Sequence, residues 1–550
     1  MSTVEKTMAP DVQVTPNMMS DKAPDFDGAA QPQTSHAEVV EKSLNSAGRT
    51  YEHDRAMALF DSTDDLQEEF DPREIRRLRR KIDMLIMPCL LTCFAFFYID
   101  KTTLSYAAIF GLINDLDLRH TEYNWLSSFF YVGFIAWAIP TNFLLQRLPL
   151  ARYLGVSIFL WGALLMIQAV CHNFATLAVL RALGGALEGC ADPAFLLITS
   201  MWYTREEQPI RIGIWHSGYG VGVALGGLLG YAIGHIKGAL PSWKYEFLVI
   251  GALCASWGIV IFIFLPNSPV DAHAFTKRER QMIVERMRND QTGIENKHLK
   301  WYQVKEALLD YKLYILSGQG VLYNIPNGGF SNFGTIIIRG FGFSTLGTTL
   351  LQIPYGVSIC LAQLSCVFLN SKFQNRRVFF VILYLIPTLA AGFGMRYVPL
   401  DQKVGRLICY YLTAFYPGAW VLVLSMIIAN VSGKLDLVPL LFSRTQRTLT
   451  QPGHSKKIVM NIGFFLGYSS GNLAGPFFYR SQDEPTYPLG MWSMIVCSLV
   501  GIILTALLGF LLQRENKRRD RIQSQAEGGL EGRDLAATAF LDMTDKENLK

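Results

Sequence analysis

Four ionisable residues stand where charge is costly. Asp100 and Lys101 are the only charges between Met84 and Asn114, and Arg181 and Glu188 lie in a second apolar stretch. An ionisable side chain near the centre of a bilayer costs at least about 2.5–3.5 kcal/mol on insertion scales, so such groups normally face a wet cavity or a partner. Arg181 and Glu188 are seven residues apart. On a helix that is about 10 Å of rise and only about 20° of rotation, so both can face one cavity. Asp100 and Lys101 are neighbours and point roughly 100° apart, so one can reach the cavity while the other meets a neighbouring helix. The chemistry is that of binding an anion together with a proton. Lys101 and Arg181 offer positive charge to a substrate carboxylate, and Asp100 and Glu188 can take up and release protons. The same four residues also read as ion pairs that lock helices together. Asp192, ahead of Pro193 and nearer a helix end, reads as structural.

A second polar cluster runs Tyr323-Asn324-Ile325-Pro326-Asn327-Gly328-Gly329, then Ser331 and Asn332. Proline removes a backbone hydrogen bond and the glycines weaken the helix, and broken helices with polar side chains often form substrate sites at mid-membrane. Tyr323 and Asn327, one turn apart, are the substrate-binding candidates; a kink with interhelical hydrogen bonds is the alternative. His216 can sense protons but also reads as a packing histidine. Pro354, Pro387 and Pro417 mark further kinks.

These residues need a membrane around them. The chain has 550 residues, half of them apolar and 17% charged, against roughly 25% charged for a soluble protein. Residues 123–146, 153–180, 247–270, 313–338, 340–371, 407–433, 458–479 and 485–513 contain no Asp, Glu, Lys or Arg. A bilayer span needs about 20 such residues, whereas a soluble core helix rarely exceeds about 10–14. The pattern predicts an all-α membrane protein and excludes fibrous, disordered and secreted disulfide-rich classes. Twelve spans are expected, near 84–107, 123–146, 153–173, 176–199, 211–234, 245–266, 313–334, 344–368, 378–396, 406–430, 458–479 and 490–513. Residues 1–80 read as a disordered cytoplasmic tail, 81–266 as a first six-helix bundle and 267–312 as a cytoplasmic linker with a helix near Thr276 to Asn289. Residues 313–513 read as a second six-helix bundle and 514–550 as a charged cytoplasmic tail.

Lys and Arg in the short loops set the orientation. Arg76, Arg77, Arg79, Arg80 and Lys81 precede the first span; Arg147, Arg152, Arg205, Arg211, Arg376, Arg377, Lys456 and Lys457 flank even-numbered turns. All fall on one side if there are twelve spans, which puts both termini in the cytoplasm; the loop with Arg396, Lys403 and Arg406 is the exception. The net charge of +5 describes loops facing anionic lipid, not nucleic acid binding. The nine cysteines sit in spans or at their edges without a C-x-x-C pair, so neither a disulfide framework nor a metal site is indicated. No nucleophile–base pair or phosphate loop argues for an enzyme, and no cofactor is implied. The N-terminus lacks the pattern of a cleaved signal peptide.

Glycines reveal a repeat. The fifth span carries Gly218, Gly222, Gly226 and Gly230, and the eleventh Gly463, Gly467, Gly471 and Gly475. A period of four lines up one smooth face for close helix packing. Spans five and eleven correspond between halves, which predicts two parallel six-helix repeats.

With these motifs on the page, the chain resembles the major facilitator superfamily, and within it the fungal anion:cation symporters of the allantoate permease type, over about residues 71–513. The resemblance rests on F-D-P before the basic run from Phe70 to Lys81, the acid–base pair Asp100-Lys101, and R-x-x-G-x-x-x-E from Arg181 to Glu188. It also rests on W-Y-T-R-E-E from Trp202 to Glu207, G-G-L-L-G from Gly226 to Gly230, L-P-N-S-P from Leu265 to Pro269, and the stretch from Asn327 through Gly342 to Pro354. It implies the major facilitator fold and proton-driven uptake of a small organic anion by alternating access, the family's substrates being of the allantoate, ureidosuccinate, nicotinate, biotin and pantothenate kind. It implies anion-binding and proton-coupling roles for Lys101, Arg181 and Glu188, with Asp100 as a second proton site. The implied partners are that anion, a proton and the lipid bilayer of the plasma membrane, with no nucleic acid and the chain acting as a monomer. Two departures stand out: Lys101 replaces the usual Arg, which changes the geometry of anion contact, and Gln146 stands where the superfamily's loop has Asp.

One stretch does not fit. Removing Lys434 to Gly453 would restore the family's basic turn as Asn-Val-Ser-Gly-His-Ser-Lys-Lys, so these twenty residues read as a retained intron or as a cytoplasmic insertion. Asn430-Val431-Ser432 matches a glycosylation acceptor but falls on the cytoplasmic side. Two other functions compete with uptake: an exporter of drugs or metabolites, disfavoured because the fifth span between Gly218 and Gly230 has no proline, and a nutrient receptor signalling through its long tails.

Overall fold

A computed structural model of the chain describes residues 71–204, 206–289, 301–373, 376–430 and 454–527, and among them every regular element is helical. The expected insertion 434–453, the tail before residue 71 and that after 527 lie outside the described residues. The expected spans keep their ordinal numbers below.

The tail boundaries need correction. The first helix begins at Pro72, not near 84, and runs to Ile109. Asp71 caps it by accepting from the Arg73 amide at 2.8 Å, and Pro72 sits where its missing N–H costs nothing. The F-D-P motif is therefore a helix start, and the basic run rides on an N-terminal extension of the first span. The last helix likewise continues past 513, covering Pro488–Glu527. The expected linker helix is present at Lys277–Asn289, followed by Trp301–Leu308 and then the seventh span, Tyr311–Gly340.

Ten helices among the described residues are long and apolar enough to cross a membrane. The two expected spans not among them are the seventh and the eleventh, the latter as His454–Ala474 with a 3-10 turn Gly475–Phe478. Both carry the polar residues and glycines that dilute an apolar run, and they pack on each other.

Two breaks fall where sequence reasoning did not put them, and a third falls beside Pro417, which it marked. The fourth span is two helices, Phe174–Glu188 and Ala191–Trp202. Pro193 has no N–H to return to the Gly189 carbonyl, so the helix is interrupted one turn earlier, just past Glu188. The fifth span divides at Ser217, between Gln208–His216 and Gly218–Gly234. The tenth divides at a 3-10 turn, Thr413–Phe415, with Pro417 one turn on. The seventh, expected to be broken, is continuous through Pro326. Its amides turn back on its own backbone, Asn324 Nδ2 donating to the Gly320 carbonyl at 2.8 Å and Asn332 Nδ2 to that of Gly328 at 2.7 Å. The packed eleventh span supports it from outside.

The helix pairs repeat with an offset of six. The first packs on the fifth as the seventh on the eleventh, the second on the fourth as the eighth on the tenth, and the third on the sixth as the ninth on the twelfth. Between halves the fifth meets the eighth and the eleventh meets the second, a pair of contacts exchanged by the same offset. The glycine ladders seat these pairs. A Cβ at Gly218 or Gly222 would collide with the backbone of Leu91 or Ala95, and at Gly226 or Gly230 it would crowd Thr102 or Tyr106. In the other half, a Cβ at Gly467, Gly471 or Gly475 would strike the carbonyls of Ser317, Val321 or Ile325, and at Gly463 the Leu313 side chain. Outward faces of the third, sixth, ninth and twelfth spans expose Phe159, Ile167, Phe262, Ile263, Phe379, Ile386, Val496 and Phe510, as lipid-facing helices do.

Candidate functional site

The four intramembrane charges form two separate pairs between the first and fourth spans. Arg181 Nη1 stands 3.3 Å from Asp100 Oδ1, and the other oxygen of Asp100 accepts from Trp161 Nε1 at 3.1 Å. Lys101 Nζ stands 2.9 Å from Glu188 Oε1 and also donates to the Tyr468 hydroxyl at 3.3 Å. All four side chains are at most 8% exposed. Close backbone contact of the second and fourth spans makes this possible: a Cβ on Gly133 would collide with the Ala182 carbonyl, and one on Gly185 with that of Phe130. Arg181 therefore lies over the Phe130 ring, 5.1 Å from its centroid, and Lys101 over Tyr98 at 4.9 Å.

A small cavity between the halves, about 30 Å³, separates the roles of the two pairs. That volume admits one or two waters, not an organic anion. Lys101, Glu188 and Asp192 line it, together with His216 and aromatic rings from both halves, whereas Asp100 and Arg181 do not. The Glu188–Asp192 spacing of four residues carries both carboxylates onto one side of the interrupted fourth span. Glu188 Oε2 and Trp215 Nε1 are buried without a hydrogen-bond partner. His216 Nδ1 accepts from Gln363 Nε2 at 3.0 Å, tying the fifth span to the eighth.

The seventh-span candidates part company. Tyr323 faces the twelfth span, its hydroxyl 3.1 Å from Thr505 Oγ1, and is not brought to Lys101. Asn327 sits in a polar network at the middle of the molecule. Its Nδ2 donates to Asn472 Oδ1 at 2.8 Å, Asn472 donates to Asn324 Oδ1 at 3.1 Å, and its Oδ1 accepts from the Tyr416 hydroxyl. The Tyr416 hydroxyl meets that of Tyr219 at 3.0 Å, and Tyr219 stacks on Tyr98 with centroids 3.8 Å apart. A chain of rings thus runs from Lys101 to Asn327.

Sequence reasoning missed Tyr98, Trp161, Trp215, Tyr219, Tyr416 and Tyr468 and placed Asp192 among structural groups. The rings have no spacing signal because they converge from five different spans. Asp192 had one: its four-residue offset from Glu188.

The two halves are hydrogen-bonded to each other toward the C-terminal end of the first span. Ser105 Oγ meets Thr335 Oγ1 at 2.6 Å, and the Tyr123 hydroxyl donates to the Asn332 carbonyl at 2.7 Å. Asn124 Nδ2 donates to the carbonyls of Pro476 and Tyr479 at 2.5 and 2.9 Å, and Ser128 Oγ to that of Leu473 at 2.8 Å.

Comparison with known proteins agrees with this architecture. The family model of the Major Facilitator Superfamily matches residues 90–436. An uncharacterized transporter of Schizosaccharomyces pombe is 33% identical over 94% of this chain and 91% of its own. The allantoate permease of Saccharomyces cerevisiae is 33% identical over 90% of this chain and 89% of its own. Among solved structures, a bacterial homologue of the human lysosomal transporter Spinster, in an inward-facing and unoccupied conformation, superposes with a TM-score of 0.54. It covers 79% of this chain and 97% of its own at 14% identity, which speaks for the fold alone. The chain is a multi-pass membrane transporter that belongs to the Major Facilitator Superfamily, with relatives of the allantoate permease type.

Proposed function

We propose that the protein is a proton-coupled symporter that takes up a small organic anion by alternating access, through twelve spans arranged as bundles 81–266 and 313–513. The observation that carries this reading is the Lys101–Glu188 pair on the wall of the cavity between the halves. While Glu188 is ionised it holds the ammonium at 2.9 Å, and a carboxylate arriving at Lys101 would meet a neutralised charge and a repelling acid. A proton on Glu188 removes that acid's share of both obstacles, because the neutral acid releases Lys101 for the substrate. Anion and proton then bind together, and each leaves when the other does. That reciprocity is what coupling requires.

Arg181 acts at one remove: its contact with Asp100 holds the first and fourth spans in register behind the cavity. Asn327 and its partners form a polar network in the second half, joined to Lys101 through the rings of Tyr416, Tyr219 and Tyr98. With both termini in the cytoplasm, the hydrogen bonds at Ser105, Tyr123, Asn124 and Ser128 close the outer end, and the cavity belongs to an inward-facing state. The protein acts as a monomer in the plasma membrane. Allantoate, which the name of one relative specifies, heads the candidate substrates, with ureidosuccinate and vitamin-type carboxylates after it.

Growth rescue of an uptake-deficient yeast on a panel of these anions, in acidic and neutral media, tests the reading. Rescue that strengthens in acid is expected, and Glu188→Gln should abolish accumulation while leaving counterflow exchange. Rescue indifferent to pH would overturn proton coupling. Binding without accumulation would point to a receptor.

A further inference from the structure

Among the described residues Lys101 is the sole Lys or Arg on the cavity wall, which it shares with two acids, Glu188 and Asp192. Asp100 and Arg181 neutralise each other away from the wall. The other titratable groups around the acids include Tyr98, Tyr131, Tyr468, His216 and the buried thiols of Cys190 and Cys254, which are neutral. Tyr98 and Tyr468 are phenols beside the ammonium, and Tyr131 packs its ring 6.2 Å from that of Tyr468. His216 receives the Gln363 N–H on its Nδ1, so while that bond stands the ring adds no fixed charge. With both acids ionised the wall carries one net negative charge. One proton brings it to neutral, and only a second leaves an uncompensated ammonium to hold a monoanion. The site is a built one: Glu188 is 4% exposed, and its second oxygen has no partner in the protein.

Resting on the symport reading above, we infer that Asp192 is a second proton carrier and that the cycle moves two protons inward with each monovalent anion. One proton rests on a Glu188 carboxylate oxygen and one on Asp192. Both return to the cytoplasm as the anion leaves and Lys101 re-forms its contact with Glu188. Two protons with one monoanion carry one positive charge inward; one proton with one monoanion carries none. Transport is therefore electrogenic, and Asp192 is the residue that makes it so.

The test has two arms. In the first, the purified protein without substrate is moved from alkaline to acid buffer under infrared difference spectroscopy. Glu188→Gln and Asp192→Asn should each delete one protonated-carboxyl C=O band, and Asp192→Glu should restore a shifted one. An Asp192→Asn spectrum identical to that of the unsubstituted protein overturns the inference. In the second arm, proteoliposomes take up the panel anion that supports acid-stimulated growth, with allantoate used if several do. Accumulation by the unsubstituted protein should rise about tenfold for each roughly 60 mV of inside-negative potential. Asp192→Asn should lose that dependence and keep its response to a pH gradient, and Asp192→Glu should regain it. Wild-type uptake driven by a pH gradient but blind to potential overturns the inference alone. Uptake that ignores the pH gradient overturns the symport reading, and the infrared arm still decides on Asp192.

Discussion

Asp100 and Lys101 are adjacent in the chain yet serve different ends. Asp100 is enclosed with Arg181 and Trp161 and has no wall in the cavity, whereas Lys101 has one. Breaking a buried ion pair from one side leaves a bare charge, which costs about 3–5 kcal/mol, while replacing both partners with apolar side chains is often neutral. Asp100→Leu should therefore cut the yield of folded protein and lower its melting temperature in detergent, and Asp100→Leu with Arg181→Leu should recover most of both. A double variant as damaged as the single would assign Arg181 to the substrate instead. The sequence marked these residues by their cost in a membrane, and the seven-residue offset placed Arg181 and Glu188 on one face. It did not say which of two neighbours turns toward the cavity. That depends on the rotation of the first helix, which the glycines of the fifth span set from another part of the chain.

At the scale of elements, ion pairs tie the linker helix Lys277–Asn289 to the first half. Glu279 meets Lys81 at 2.6 Å, Arg278 meets Glu74 at 3.3 Å, and Arg286 meets Glu207 at 2.9 Å, with Arg79 also 3.5 Å from Glu207. Partial burial works to raise the Glu279 carboxyl, but the Lys81 ammonium and the Thr276 amide outweigh it and hold it below the usual carboxylate range. A lowered value in the folded state means that this contact stabilises above the ordinary carboxylate pKa and is lost as pH falls through the folded one. Protection of the amides across Lys277–Asn289, measured against their intrinsic exchange rates, should accordingly fall in acid. Lys81→Met should lower that protection at neutral pH and flatten its dependence on pH, and protection unaffected by either change would dismiss the clasp. Helix existence was legible throughout, because long charge-free runs admit no other backbone in a bilayer. Helix interruptions were legible only in part. Pro417 marked the one in the tenth span, but Pro193 and Pro326 look alike in sequence, and the second is flanked by amides that turn back to their own helix's carbonyls.

For the whole molecule, the helix pairs recur with an offset of six, and hydrogen bonds join the halves beyond Lys101. If these bonds part when the cavity opens outward, a bridge there should stop the cycle. A Ser105→Cys, Thr335→Cys protein should lose uptake on mild oxidation and regain it with a reductant, and each single variant should be insensitive; undiminished uptake by the bridged double would argue against separation at that end. The glycine ladders announced the repeat, since close packing writes a period of four into the chain. The junction between halves left no such trace, being made of single Ser, Thr, Tyr and Asn contacts scattered over distant segments. The two copies have meanwhile divided their labour. Among the described residues every charge that meets the cavity comes from the first half, and the second half answers with the rings of Trp420, Phe465 and Tyr468. In the proposed symporter the proton carriers and the ammonium that holds the anion share one inheritance, so a lineage can reshape the neutral wall opposite by revising the other copy and leave the power supply untouched.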